Sequence, residues 1–214
     1  MSLTLPIRGI ETPPKVISPP AVPLEIPAHH TVCLVGNGPG VLHCSGADID
    51  AHDVVIRFNR FRLAGFEQHT GVKTTIWSTF GHGYLPGDED QRPKRMIFAY
   101  GEVGEPAYTP EVIHRLPRAF YRATQKRVRE LSTRSGETLA HTGMTSGLVV
   151  AVWLLESIGV SSLSLAGFDH FSKSRSKLHH YYNPQPYAKP PEHDGEAEAA
   201  VLTPYVENGR VRYL

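Results

Sequence analysis

The sequence predicts an α/β fold, a single Rossmann-like domain whose mostly parallel sheet is flanked by helices. Three observations predict it. The order strand, glycine turn, helix occurs twice: at Val32–Val35 with the turn Gly36-Asn37-Gly38-Pro39-Gly40, and at 161–166 with Gly167-Phe168-Asp169. The run Val32–Val35 is apolar throughout, as burial on both faces of a parallel sheet requires. A hydrophobic content of 40% and a charged content of 20% over 214 residues suit one globular domain, alone or with a tail.

Residues 1–29 hold Pro6, Pro13, Pro14, Pro19, Pro20, Pro23 and Pro27. Proline removes amide donors and favours extended backbone, so this stretch reads as a proline-rich arm ahead of the domain, 30–214. After Val32–Val35 a short helix is expected over 39–47. Val54–Phe58 is a second buried strand, 74–78 a third and 95–100 a fourth; glycines and prolines make 80–93 a loop. Helices are expected at 110–116 and 119–131. In the second, Phe120, Ala123, Val128 and Leu131 lie on one side, with Arg122, Lys126, Arg127 and Arg129 on a solvated face opposite. A near-continuously apolar helix spans 146–158. A polar, aromatic loop follows Phe168. A terminal helix begins at 193 or 196 and runs to 206, a hairpin-like turn falls at Asn208-Gly209, and a short strand closes the chain at 210–214.

Charge narrows the function. The 22 Lys and Arg balance 21 Asp and Glu, a net +1 that exerts no long-range pull on nucleic acid. Cys33 and Cys44 do not form a disulfide framework, and Cys33, inside the first strand, is expected to be buried and inert. No apolar run approaches the roughly 20 residues that span a bilayer. A cytoplasmic protein, at most peripheral at a membrane, is the expectation.

Two apolar strands stop one after the other in asparagine, Asn37 and Asn59. GNGPG lacks the third glycine of GxGxxG, and Asn59 stands where a dinucleotide-binding strand ends in an acid, so NAD is disfavoured. GxxxxGK[ST] and GxSxG are absent. Each asparagine amide both donates and accepts, so the pair can hold ribose hydroxyls or phosphate oxygens; ordinary turn chemistry is the alternative. Small residues at Thr145-Ser146-Gly147 open a helix where backbone amides can meet an anion. Asp88-Glu89-Asp90 has the form of a cation-holding DxD, but its loop makes a solvated acidic turn the better reading, and no metal is expected. His193, with Glu198 five residues on, could serve as an oriented general base; a surface histidine is the alternative.

Together these pieces resemble the glycosyltransferase family of the sialyltransferases, family 29, with its four sialyl motifs. The long motif is similar to Cys33-Leu34-Val35-Gly36-Asn37-Gly38, Ile49-Asp50-Ala51-His52-Asp53-Val54-Val55-Ile56-Arg57-Phe58-Asn59-Arg60, Gly65-Phe66-Glu67 and Gly71-Val72-Lys73-Thr74-Thr75. The short motif looks like Thr145-Ser146-Gly147-Leu148 through Leu165-Ala166-Gly167-Phe168, the third like His180-Tyr181-Tyr182, and the last, His-x4-Glu, like His193 to Glu198. The resemblance implies a GT-A-like variant of the Rossmann fold and an inverting displacement. It implies a CMP-sugar donor, a glycan or glycolipid acceptor, and no metal or other cofactor. Carried over, Asn37 and Asn59, between Gly36 and Gly38 and at the second strand end, would hold the CMP phosphate and ribose. Thr145, Ser146 and Gly147 would offer amides and hydroxyls. Gly167 would let cytidine approach, with Phe168 and Tyr181 in the same donor site. His180 would hydrogen-bond the departing phosphate, and His193 would take the acceptor's proton.

Three departures accompany the resemblance. The short motif has no cysteine to pair with Cys33, no anchor or stem is seen, and the chain is short for the family. They point to a soluble, bacterial-type relative and leave the sugar open between sialic acid and another 2-keto acid such as Kdo. A catalytically idle CMP-sugar or glycan-binding module is the competing reading.

Overall fold

The structure, a computed structural model, describes residues 24–80, 92–100, 110–170, 180–183 and 193–214. Among the described residues seven strands form one sheet: β1 (Val32–Val35), β2 (Val54–Phe58), β3 (Ile76–Thr79), β4 (Arg95–Phe98), β5 (Val112–Arg115), β6 (Leu163–Ala166) and β7 (Val211–Tyr213). Their order is β5-β4-β3-β2-β1-β6-β7, and every pairing is parallel. The chain moves outward from β1 to β5, then returns to lay β6 on the other side of β1. β1 and β6 therefore flank the topological switch point.

Side chains alternate across the sheet with period two. Leu34, Ile56, Ile76, Ile97 and Leu165 enter the larger core, beneath α3 (Arg118–Leu131), α5 (Ser146–Trp153) and α6 (Gly195–Glu207). Cys33, Val35, Val55 and Ala166 face the other way, against a 3-10 turn (Pro39–His43) and α1 (Gly46–Asp50), on both of which α2 (Glu67–Thr70) packs. All eight residues of α5 are buried, which is why its apolar pattern shows no polar face. α5 continues through a π-helical turn, Leu154–Ile158, as far as the expected helix runs. Cys33 and Cys44 are buried free thiols, and burial pushes Cys33 up to about 12. Among the described residues no helix is long and apolar enough to cross a membrane.

Several expectations are corrected. The stretch 110–116 is the edge strand β5, not a helix. Val112 packs against the larger core and Ile113 against Trp77, Met96 and Phe98 on the opposite face, and β4 offers an open ladder. Tertiary pairing outweighs local preference there. The stretch 39–47 divides into the 3-10 turn and α1, and a short α4 (Gly136–Ala140) was not anticipated. The buried stripe of α3 is Tyr121, Thr124 and Val128, while Leu131 is exposed. Its basic face is partly tied down: Arg127 pairs with Glu156 at 2.6 Å, and Arg129 donates to the Ala140 carbonyl at 2.8 Å. The turn at Asn208-Gly209 makes no hairpin, because β7 lies parallel to β6 after α6. Of the arm, Leu24 and Ile26 are buried in the larger core; 1–23 lie outside the described residues, as do Asp88-Glu89-Asp90 and His179.

Arg57 is fully buried in β2. Its Nε donates to the Lys73 carbonyl and Thr74 Oγ1 at 3.0 and 3.1 Å, and Nη2 donates to the Thr70 carbonyl at 2.7 Å. Burial lowers its pKa to about 10, so it stays charged at neutral pH while tying β2 to the segment that leads into β3. Arg57→Ala leaves those acceptors buried and unpaired, and should cost about 3–5 kcal/mol in urea unfolding, the usual consequence of removing one side of a buried charged contact. A loss under about 1 kcal/mol would show that these bonds do not hold the segment.

Candidate functional site

The carboxyl ends of β1 and β6 meet closely. Gly36 N donates to the Ala166 carbonyl at 2.8 Å and Gly38 N to the Gly167 carbonyl at 3.1 Å. A Cβ on Gly36 would stand 2.6 Å from the Gly167 carbonyl oxygen, so only glycine permits the approach. Gly167 has φ +66, a backbone that side chains disfavour. Gly40 N donates to Asp169 at 2.8 Å, so a protein carboxylate sits at the start of the 3-10 turn.

Both asparagines bridge successive strand ends. Asn37 Nδ2 donates to the Phe58 and Arg60 carbonyls, each at 3.0 Å, while its Oδ1 is buried with no hydrogen-bond partner among the described residues. Asn59, at φ 48, accepts on Oδ1 from Thr79 Oγ1 and Phe80 N, both at 3.2 Å. Turn chemistry is therefore part of what both residues do, and it leaves over the carbonyl of Asn37 and the amide nitrogen of Asn59. Phe168 lies edge-on to Phe58 with ring centres 6.1 Å apart and covers Gly147, where a Cβ would come within 2.8 Å of the ring. The start of α5 is thereby fixed beside the ends of β2 and β6.

Thr145 caps α5, accepting from Leu148 N at 3.2 Å. Its own N and Oγ1 both donate to the buried Glu198 carboxylate, at 2.8 and 2.6 Å. Burial raises the Glu198 pKa to about 7, against the pull of the Thr145 bonds. His193 forms a parallel bridge with Gly143, and its Nδ1 lies 4.0 Å from Glu198 Oε1. His193, Glu198, Thr145 and the buried Ser146 thus assemble at one helix start. The spacing of His193 and Glu198 was legible; the contact of Glu198 with Thr145, 53 positions away, was not.

His180 stands at the β1 side. It stacks on Tyr182 with ring centres 5.3 Å apart, and the next amide, Tyr181 N, donates to the Asn37 carbonyl at 3.0 Å. Tyr181 is buried, its hydroxyl engaged by the Arg62 amide at 3.0 Å and by the Arg62 carbonyl, and Tyr182 donates to the Arg60 carbonyl. Sequence reasoning also missed Asp169, Asp194 and Arg134. Only Asp194 leaves a local signal: it is an aspartate opening a helix, and it accepts from Ala197 N at 3.3 Å.

An open, parallel α/β sheet with its chemistry-bearing residues at the switch point is the architecture of nucleotide-binding domains. Over residues 12–95 the chain matches the family described as Glycosyltransferase family 29 (sialyltransferase). It is similar to "Sialyltransferase-like protein 2" of Oryza sativa subsp. indica, 52% identical over 50 residues, or 22% of this chain and 12% of that protein. It is also similar to "Beta-galactoside alpha-2,6-sialyltransferase 2" of Danio rerio, 41% identical over 61 residues, or 27% of this chain and 12% of that one. The matches thus span about an eighth of each of these relatives. In fold it resembles the crystal structure of a mammalian sialyltransferase, with a TM-score of 0.64 at 22% identity, over 87% of this chain and 69% of that one. A second structure, of a mammalian sialyltransferase in complex with Gal-beta-1-3GalNAc-ortho-nitrophenol, gives 0.62 at 21% identity over the same shares.

Because Glu198 takes up its proton far more readily when folded than at its ordinary value of 4.5, its burial favours the folded state at low pH. That contribution is complete below 4.5 and is lost as pH rises to about 7. Relative to Glu198→Gln, the native protein should lose on the order of 3 kcal/mol of unfolding free energy between pH 4.5 and 8. Urea titrations of both proteins across that range check it; a pH-independent difference would contradict the buried, proton-binding carboxylate.

Proposed function

We propose that the chain is an inverting, metal-independent glycosyltransferase. It would move sialic acid, or a related 2-keto sugar acid, from a CMP donor to a hydroxyl of a glycan or glycolipid. The observation that carries this reading is the meeting of His193, Glu198 and Thr145 at the start of α5, on the sheet edge where β1 and β2 stop in asparagine. The catalytic pair is His193 and His180, and no resident cofactor is invoked.

The displacement uses this chain's residues as follows. The acceptor hydroxyl is a weak nucleophile at neutral pH, and His193 takes its proton as the new carbon–oxygen bond forms at the anomeric carbon. The bond from that carbon to the phosphate oxygen breaks, and its electron pair leaves with CMP. Donors aimed at that growing charge suffice without a cation. His180 would hydrogen-bond the departing phosphate. The Asn59 amide nitrogen can donate to the phosphate, and the side-chain Oδ1 of Asn37 can accept from a ribose hydroxyl. Gly36, Gly38, Gly167 and Phe168 shape the cleft from the β1 and β6 ends, Ser146 and Gly147 shape it from α5, and Tyr181 supports it from beneath.

A catalytically idle sugar-binding module would not need a carboxylate buried beside a histidine, an arrangement that costs stability above neutral pH. The test is CMP release from CMP-sialic acid and CMP-Kdo, with EDTA present, across a panel of galactose-terminated and lipid-linked acceptors. One donor should support transfer, and His193→Ala should lower the rate by about 10²–10⁴-fold, the usual worth of a general base, while CMP still binds. No release from either donor on any acceptor would overturn the enzyme reading; abolition by EDTA would overturn metal independence alone.

A further inference from the structure

We propose that Arg134 is a positioning residue for His193, holding the peptide from which the imidazole projects. The inference rests on His193 being the proton acceptor. Arg134 lies in the connection between α3 and α4, far in sequence from either histidine, and its side chain is 17% exposed. Its Nη2 donates to the His193 carbonyl, and its Nε lies 3.4 Å from Asp194 Oδ2, on a carboxylate only 7% exposed. One planar fork thus grips two consecutive residues, His193 through its backbone and Asp194 through its side chain. A guanidinium spans such a pair with fixed geometry; an ammonium does not.

The grip is itself braced. Ser132 Oγ donates to the same Asp194 oxygen, and Arg134 N donates to Ser132 Oγ at 3.2 Å, so the connection closes into a loop around the carboxylate. The other Asp194 oxygen caps α6 through Ala197 N, and Gly143 pairs with His193 from the opposite side. The peptide between His193 and Asp194 is therefore held at its carbonyl, at the next side chain and at the helix start that follows. Rotation of that peptide would swing the imidazole relative to Glu198. A displacement of about 1 Å in a reacting group can cost about 10²-fold in rate, which is the scale expected here.

The test compares Arg134→Ala and Arg134→Lys with the native chain by transfer kinetics, CMP binding and imidazole NMR of His193, assigned by its loss in His193→Ala. Arg134→Ala should lower kcat by about 30–100-fold with KM for the donor and CMP affinity within about two-fold, and should shift or broaden the His193 ring signal. Arg134→Lys should recover only part of kcat, and added methylguanidinium should restore activity to Arg134→Ala more than methylammonium does. An unchanged kcat, or a parallel loss of kcat and CMP affinity that methylguanidinium does not reverse, would overturn the proposal. If the native chain transfers no sugar, the enzyme reading falls by itself. The His193 ring signal then decides this one: altered in the variant it supports the grip, unchanged it overturns it. If Arg134→Ala does not fold, Arg134→Lys carries the same measurements.

Discussion

The structure depends on how closely the ends of β1 and β6 approach. Two turns from distant parts of the chain meet backbone to backbone, with Gly36 on one side and Gly167 on the other. Were either to carry a side chain, the turns would part and the crevice at the switch point would lose its walls. Phe168, carried on the same turn, could not then lie over Gly147 and fix the start of α5. The position of Thr145, and through Glu198 that of α6, whose start lies just after His193, follows from that contact.

Amide-rich corners of this sheet edge already hold carboxylates of the protein. Asp169 sits on the Gly40 amide and Glu198 on that of Thr145. A glycine turn followed by a helix is often taken as a phosphate cradle, yet these donors are engaged before any ligand arrives. In the proposed reaction the leaving phosphate falls to the side chains of Asn59 and His180, and the asparagines matter more than the glycines beside them. The glycines bring the strands together; the amides and imidazoles carry the polarity.

The strands Val32–Val35 and Val54–Phe58 were legible to the residue, because short, largely apolar runs stopped by glycine or asparagine have few other interpretations. The stretch 110–116 was misread because an edge strand with two β-branched residues differs from a short helix only once its neighbour is known. The separation of His193 and Glu198 was visible locally, whereas Arg134, Asp169 and the burial of Glu198 arise from contacts between segments far apart in the chain. Composition and period carry no trace of such contacts. The likeness to a known family supplied roles that the residues alone left open between ligand contact and turn chemistry.

Glu198 binds its proton near pH 7 because burial outweighs the two Thr145 bonds that favour its charge. The charge at the start of α5, 4.0 Å from the His193 ring, therefore changes close to neutrality. Glutamine at that position would fix the corner in its uncharged state, and any pH dependence carried by the carboxylate would go with it.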